Sequence, residues 1–155
     1  MRQDLNTKQC LHILSGNYIG NLSYIYQDKP FIAPITYFFD AENNVIMGYS
    51  AQGHKINAMR RNRQVSISVS EIDSVDEWKS ILVHGTFEEI PTTLAKAKLH
   101  IFSLGVKDLI INTEHRELNF INDFSIKIEK DVMPIVFQIK VEEITGKMRK
   151  PEFSS

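Results

Sequence analysis

VSISVS, residues 65–70, places three β-branched side chains on one side of an extended chain and three serines on the other. Alternation with period two is typical of a strand that has one face in a core and the other in solvent. Similar strands are expected at Tyr18–Tyr26, Phe31–Phe39, Val45–Ser50, Ile81–Ile90 and Ile135–Val141. Because closure removes exposed strand edges, this series of antiparallel strands with short turns predicts a closed or nearly closed barrel.

Short helices are expected between the strands. Asn6 is a good N-cap for a helix that carries Cys10 and that Gly16 ends. A second helix fits about Gly53 to Asn62, with Ile56 and Met59 facing the core.

A third helix is predicted to open after Pro91 and to end at Gly105. Its expected core face consists of Leu94, Ala97, Ile101 and Leu104. No element is assigned to residues 106–124. The predicted class is therefore mainly β with short helices (α+β).

The 155 residues suit one domain, and 43% hydrophobic with 24% charged residues is ordinary for a globular protein. A net charge of −1 gives no strong field toward nucleic acid or membrane, and neither is expected as a partner. The apolar stretch Gln9–Gln27 is interrupted by polar residues, and no signal peptide is recognised.

The single Cys10 excludes an intramolecular disulfide and a multi-cysteine metal site, which favours a reducing, cytoplasmic location. Five histidines show no metal-ligand spacing, so no metal is expected. Neither a Walker loop nor a nucleophile elbow is present, and no catalytic residue is assigned.

One stretch indicates an anion site. Between Glu42 and Glu71 the chain has no acidic residue. Cations at a helix C-terminus complement the helix dipole, which accounts for the arginines near residue 60 but not for Lys55 at the helix start. From Tyr49 to Lys55 a strand therefore ends, a loop with a hydroxyl and a glycine follows, and a lysine converges with the N-terminus of a helix, an arrangement that suits an anion.

Two other segments stand out. Pro34 lies inside a predicted strand, where it removes a ladder donor, so that strand is expected at an edge, at a bulge or beside a flat ligand. Trp78, the only tryptophan, begins another strand, where it is either core or part of a site.

Taken in order, these segments resemble the pyridoxamine 5'-phosphate oxidase-like FMN-binding split barrels, in the branch related to nitroimidazole reductases. The resemblance covers about residues 16–146. Its motifs are Gly16–Gly20, Pro30–Tyr37, Gly48–Ile56, Asn62–Val65, Trp78–Ser80 with Gly85–Glu89, and Ile139–Lys147.

The resemblance implies a six-stranded antiparallel split β-barrel, one FMN-binding domain over residues 1–155, and a homodimer with flavin at the subunit interface. Lys55 would contact the phosphate, helped by Ser50 and His54. The expected ring contacts are Pro34, Ile35, Thr36 and Tyr37. Tyr49 would pack near the ring, and Trp78, Lys79 and Ser80 would lie at its polar edge or at the ribityl chain.

Two positions depart from the family pattern. Tyr49 stands where many relatives carry histidine, and a tyrosine is not a base near neutral pH. His54 stands where arginine is common, and it is a weaker phosphate ligand at pH 7. Lys147, Met148, Arg149 and Lys150 are expected in a C-terminal tail, so the substrate-binding residues of true pyridoxamine phosphate oxidases have no counterpart.

The favoured function is an FMN-dependent oxidoreductase for a small aromatic or nitro compound. One alternative is a module that holds flavin, haem or another planar cofactor for storage or sensing. Another is a scaffold of the same fold that binds nothing.

Overall fold

A computed structural model describes residues 1–114 and 134–152. The described residues form eight strands and three helices. In chain order these are β1 (Arg2–Asp4), α1 (Thr7–Gly16), β2 (Ile19–Tyr26), β3 (Lys29–Thr36), β4 (Phe38–Asp40), β5 (Val45–Ser50), α2 (His54–Arg61), β6 (Gln64–Ser74), β7 (Glu77–Glu89), α3 (Thr92–Glu114) and β8 (Ile135–Arg149).

All strand pairs are antiparallel, which confirms the predicted class. The sheet order is β3-β2-β6-β7-β8-β5-β4, with β1 beside β8. The strands do not follow one another as a simple meander, because β6 returns to β2 and β8 lies between β7 and β5. Six strands have six or more residues, while β1 and β4 have three each. The described sheet therefore has two short strands more than the predicted barrel.

The barrel closes through a bend at Tyr37. Before the bend β3 pairs with β2, and after it β4 pairs with β5. At the bend the Tyr37 N–H donates to the Tyr18 carbonyl (2.8 Å), and the Tyr37 hydroxyl donates to the Leu14 carbonyl (2.8 Å). One bent strand thus serves both ends of the sheet order.

The strand at residues 64–74 has the predicted sidedness. Val65, Ile67 and Val69 are buried, while the intervening serines face outward. The barrel core extends to α2, whose Ile56 and Met59 are fully buried as predicted. Asn6 caps α1 by accepting from the Gln9 N–H, while the Gln9 side chain accepts from the Asn6 N–H.

The prediction for the third helix was wrong in two respects. The helix continues through Gly105 to Glu114. Glycine stands at this position for packing rather than to end the helix, because any Cβ there would collide with the ring of Phe38. Its core face consists of Ala95, Leu99, Phe102, Val106 and Ile110, which cover β5 and β8. The expected core residues Leu94, Ala97, Ile101 and Leu104 are exposed instead.

The remainder of residues 106–124, beyond the end of α3, lies outside the described residues. Within the described part of the chain, no helix is long and apolar enough to span a membrane.

Candidate functional site

The start of α2 is a corner with free donors. β5 ends at Ser50, whose hydroxyl donates to the Ala51 carbonyl at 3.0 Å. Gly53 occupies the N-cap position and supplies no side-chain acceptor, and the first turn has no acidic residue. The first N–H groups of a helix have no intrahelical partner, so at this corner they are available to an anion.

Lys55 lies in that first turn and is half-buried. Burial lowers the pKa of its ammonium group. No ion pair joins it to a carboxylate among residues 1–114 and 134–152. The Lys55 ammonium is partly desolvated, has no carboxylate partner in the described chain and lies at the end of the helix where the dipole disfavours a cation. Binding of an anion would relieve all three of these unfavourable conditions.

His54 is exposed but contacts aromatic rings of β2 and β3. Its ring meets those of Tyr26 and Phe31 edge-on, with centroids 4.7 and 4.9 Å away. Its Nδ1 lies 3.2 Å from the Tyr24 hydroxyl. The two tyrosines lie two residues apart on β2 and so share one face of the strand, but their contact with His54 was not predicted from the sequence.

The four predicted ring contacts divide between two faces of the bent strand. Pro34 is exposed and Thr36 half-buried on the outer face, whereas Ile35 and Tyr37 are buried in the core. The Tyr37 hydroxyl donates to the Leu14 carbonyl and its N–H to the Tyr18 carbonyl, so neither group is free for a ligand. In the described part of the chain β3 pairs with β2 alone, which agrees with the edge position, one of the three alternatives predicted from Pro34.

Tyr49 faces α3. Its ring packs edge-on against Phe102 with centroids 5.1 Å apart, on the side of β5 that α3 covers. Burial raises the pKa of its phenol group, so it stays protonated at neutral pH. The structure places it directly before Ser50 but with its side chain among the residues under α3.

Trp78, Lys79 and Ser80 lie at the start of β7. The Ser80 hydroxyl is 2.8 Å from that of Ser70 on β6. Trp78 and Lys79 line a cavity of about 820 Å³ between α1, the β6–β7 hairpin and the end of β8. Further lining residues include Lys8, His12, Glu71 and Arg149.

The predicted site residues form two separate groups within one chain. The described residues that line the cavity beside Trp78 include none of Ser50, His54 and Lys55. The structure therefore brings together the residues of the α2 corner, and separately those at the start of β7.

The expected C-terminal tail was an error. Lys147, Met148 and Arg149 belong to β8, where Arg149 pairs with both Trp78 and Arg2. The strand is longer than its alternating core suggested, because its outer half is held between β7 and β1. The resemblance of Ile139–Lys147 to a terminal strand indicated part of β8, which continues two residues further, to Arg149.

Across residues 1–114 and 134–152, no three His, Cys, Asp or Glu side chains are grouped so that they would hold a metal ion. His115, one of the five histidines, lies outside the described residues.

Comparison with known proteins places these features in a family. The chain is 31% identical over 102 residues to an uncharacterised protein of Rhizobium meliloti, in an alignment that covers 64% of this chain and 66% of the relative. Its fold is similar to that of a FAD-binding protein from Mesorhizobium loti, with a TM-score of 0.73, 23% identity, and coverage of 97% of this chain and 99% of that one.

A second similar structure is that of a proposed 5-nitroimidazole antibiotic resistance protein from Bacteroides thetaiotaomicron. Its TM-score is 0.66 at 16% identity, with coverage of 96% and 89% of the two chains. At these identities the likeness concerns the fold.

The family model described as pyridoxamine 5'-phosphate oxidase matches residues 6–148, which is nearly all of the barrel and its helices. The chain therefore belongs to the pyridoxamine 5'-phosphate oxidase family.

Proposed function

We propose that this protein binds FMN and uses it to reduce or oxidise a small aromatic or nitro compound. The observation that carries the proposal is Lys55, a half-buried cation without a carboxylate partner in the described chain, at the uncapped start of α2. Family membership and the FAD-binding Mesorhizobium loti protein support a flavin. The Bacteroides thetaiotaomicron protein supports a nitro compound as substrate.

The corner fits the phosphate of FMN. The first N–H groups of α2 and the Lys55 ammonium would donate to the phosphate, and the Ser50 hydroxyl would rotate away from the Ala51 carbonyl to do the same, with His54 beside them. Hydrogen bonds to a charged group contribute about 1.5–3 kcal/mol each. Pro34 and Thr36 would lie along the flavin ring. When FMN is bound, its flavin ring supplies the electron and hydride transfer.

A second copy would complete the site. Among the described residues, the cavity lined by Trp78 and Lys79 includes none of Ser50, His54 and Lys55, and this separation supports a flavin that contacts one group from each of two subunits. The outer face of β2 and β3 supports this arrangement, because Ile19 and Ile32 are 58% and 72% exposed there. We therefore propose a homodimer with flavin at the subunit interface.

The cofactor is tested by titrating the purified protein with FMN, FAD and riboflavin, following flavin fluorescence. Tightest binding of FMN supports the proposal, because only FMN has a terminal phosphate monoester. Binding of riboflavin as tight as that of FMN would show that the corner does not recognise phosphate, and no flavin binding would refute the cofactor.

A second candidate is a module that stores or senses flavin without turnover. Tyr49 favours it, because a half-buried phenol with a raised pKa stands where relatives often carry a histidine. The test is anaerobic reduction of the FMN-loaded protein by a nicotinamide nucleotide, followed by addition of a nitroaromatic acceptor. Reduction and reoxidation on a catalytic time scale support the oxidoreductase, and a flavin that stays oxidised supports the storage module.

A further inference from the structure

The cavity of about 820 Å³ beside Trp78 has α1 as one of its walls. We call it the α1 cavity. Lys8, His12 and Ser15 line it from the helix, and their spacings of four and three residues place them on one face of α1. The facing strands follow one another in the order β1-β8-β7-β6. The volume lies within the usual range for small-molecule sites, which is about 300–1,000 Å³.

The α1 cavity is basic where the helix begins. Just before α1, the Leu5 N–H donates to the Gly146 carbonyl of β8 at 2.9 Å, so the helix begins beside the last residues of that strand. Arg149 and Lys150 line the cavity there, together with Lys8 of the first turn. The first turn has no acidic residue. Three cationic side chains therefore surround this end of the cavity.

The α1 cavity is acidic where the helix ends. The Asn17 amide follows the last turn of α1 and donates to the Glu71 carboxylate of β6 at 2.8 Å. Asp73 and Glu77 of the same β6–β7 hairpin also line the cavity. Lys79 pairs directly with Glu71 across the hairpin. One lysine offsets only one of the three acidic charges, so this end keeps an excess of negative charge.

Both ends of the α1 cavity have the charge that the helix dipole disfavours. Helices are stabilised by anions near their first turn and by cations near their last turn. Here Lys8 lies in the first turn and Glu71 lies beside the last. Across residues 1–114 and 134–152, neither side chain forms an ion pair. The side-chain charges therefore add to the helix dipole, and the cavity is polarised along α1 from positive to negative.

We propose that the α1 cavity binds a linear zwitterion, a small molecule with a carboxylate at one end and an ammonium group at the other. The carboxylate lies at Lys8 and the ammonium group at Glu71, so that the ligand opposes the helix dipole. The proposal rests on this cavity alone and does not depend on flavin binding.

The length and lining of the cavity specify the ligand further. Lys8 and Asn17 are about 14 Å apart along the helix at 1.5 Å per residue. An α-amino acid carries both charges on one carbon and would not contact both ends. Between the ends, Leu5, Leu11 and Met148 contribute apolar side chains to the lining. A molecule with an apolar middle between its two charged groups therefore fits best.

Calorimetric titration of the full-length protein with three matched ligands tests the proposal. The compound 4-(aminomethyl)benzoate has its two charges at opposite ends of a ring, whereas 4-methylbenzoate lacks the ammonium group and 4-methylbenzylamine lacks the carboxylate. The zwitterion should bind at least about tenfold more tightly than either analogue, because each analogue loses one charge-assisted contact. Equal affinities for all three, or no binding of the zwitterion at millimolar concentration, would refute the proposal.

Substitutions at the two ends test the orientation. Lys8→Gln should weaken binding of the zwitterion by about tenfold and leave that of 4-methylbenzylamine unchanged. Glu71→Gln should weaken binding of the zwitterion by a similar factor and leave that of 4-methylbenzoate unchanged. Glutamine keeps an oxygen that accepts from Asn17, so the end of α1 should stay in place. The reverse pattern of losses would contradict the proposed orientation.

Matched controls separate a contact in the cavity from the net charge of the protein. Lys147→Gln removes one positive charge from β8, at a side chain that pairs with Asp4 at 3.4 Å and is not part of the cavity lining. Glu143→Gln removes one negative charge from the same strand, also away from the lining. Both controls should bind the zwitterion like the wild type. Losses as large as those of the cavity variants would overturn the proposal.

Fluorescence of Trp78 locates the ligand. This residue is the only tryptophan of the chain and lines the α1 cavity. Its emission should change on addition of the zwitterion and should saturate at the concentrations found by calorimetry. Calorimetric saturation without any change in emission would place the ligand elsewhere and would overturn the assignment to this cavity.

Discussion

The two ends of α2 treat their cations in opposite ways. At the last turn Arg60 lies where the helix dipole favours a positive charge, and its guanidinium binds the Glu89 carboxylate through two contacts of 2.5 and 3.1 Å. At the first turn Lys55 is disfavoured by the dipole, is half-buried, and has no carboxylate partner in the described chain.

The difference separates a structural charge from a charge held for a ligand. Arg60 is satisfied within the fold, so a ligand would have to compete with Glu89 for it. Lys55 has no carboxylate partner among residues 1–114 and 134–152, so a phosphate would not have to displace a carboxylate of that part of the chain. Substitutions at the two ends should therefore change different measurements.

The largest effect is expected for Lys55→Ala. It should weaken FMN binding by roughly tenfold to a hundredfold, because the lost charge-assisted bond contributes about 1.5–3 kcal/mol. Riboflavin lacks the phosphate, so its affinity should hardly change. Equal losses for both ligands in a fluorescence titration would make Lys55 an ordinary surface charge.

Alkaline pH should act on binding and on stability in opposite directions. Because burial lowers the pKa of Lys55 in the folded state, the unfolded chain binds more protons between that pKa and the ordinary lysine value of about 10.4. The contribution of Lys55 to the free energy of unfolding therefore rises as pH rises through this window. FMN affinity should fall by several fold in the same window, as the ammonium loses its charge.

The control for the pH experiment is Lys55→Arg, which keeps its charge in that range. Its FMN affinity should stay level where the wild-type affinity declines. A parallel decline in both proteins would assign the titration to another group.

A smaller effect is expected for Tyr49→His. The side chain lies against Phe102 rather than at the corner, so FMN affinity should change by no more than about two- to threefold, which is less than 1 kcal/mol. Imidazole exchanges protons near neutral pH, so the rate of flavin reduction should change more than the affinity does. An unchanged rate and an unchanged reduction potential would contradict a role of this position at the ring.

The smallest effect is expected for Arg60→Ala. The ion pair with Glu89 is solvent-exposed, and exposed pairs contribute little to stability. The melting temperature should fall barely measurably, and FMN affinity should stay the same. A loss of FMN binding comparable to that of Lys55→Ala would remove the distinction between the two ends.

The strands were the most predictable part of the molecule. The alternation at residues 65–70 fixed which side of β6 is buried, because a strand repeats every two residues. A period of two does not say which strands are neighbours, however. The pairing of β6 with β2 and the bend at Tyr37 depend on contacts far apart in sequence.

The third helix shows where periodicity misleads. Because α3 is apolar on both sides, either side satisfied the helical pattern, and the exposed one was chosen. Gly105 is usually a stop signal, but here the ring of Phe38 occupies the space beside it. Only the tertiary structure provides that information.

The candidate site was predictable in part. The position of Lys55 was anomalous in the sequence itself, since a cation at a helix start has no local purpose. The orientation of Tyr49 toward Phe102 was not visible, because a family pattern aligns backbone positions rather than side-chain directions. The contacts of His54 with Tyr26 and Phe31 were not predicted either, since they form only when β2, β3 and α2 meet.

The place of β8 has a consequence for how the barrel is assembled. It follows every other described strand in the chain, yet it pairs with β7, β5 and β1. Until it emerges from the ribosome, β5 and β7 each lack a neighbour, and the half-built sheet exposes two unpaired edges. Nascent chains from which β8 has not yet emerged should therefore bind chaperones, while chains released from the ribosome should resist proteolysis.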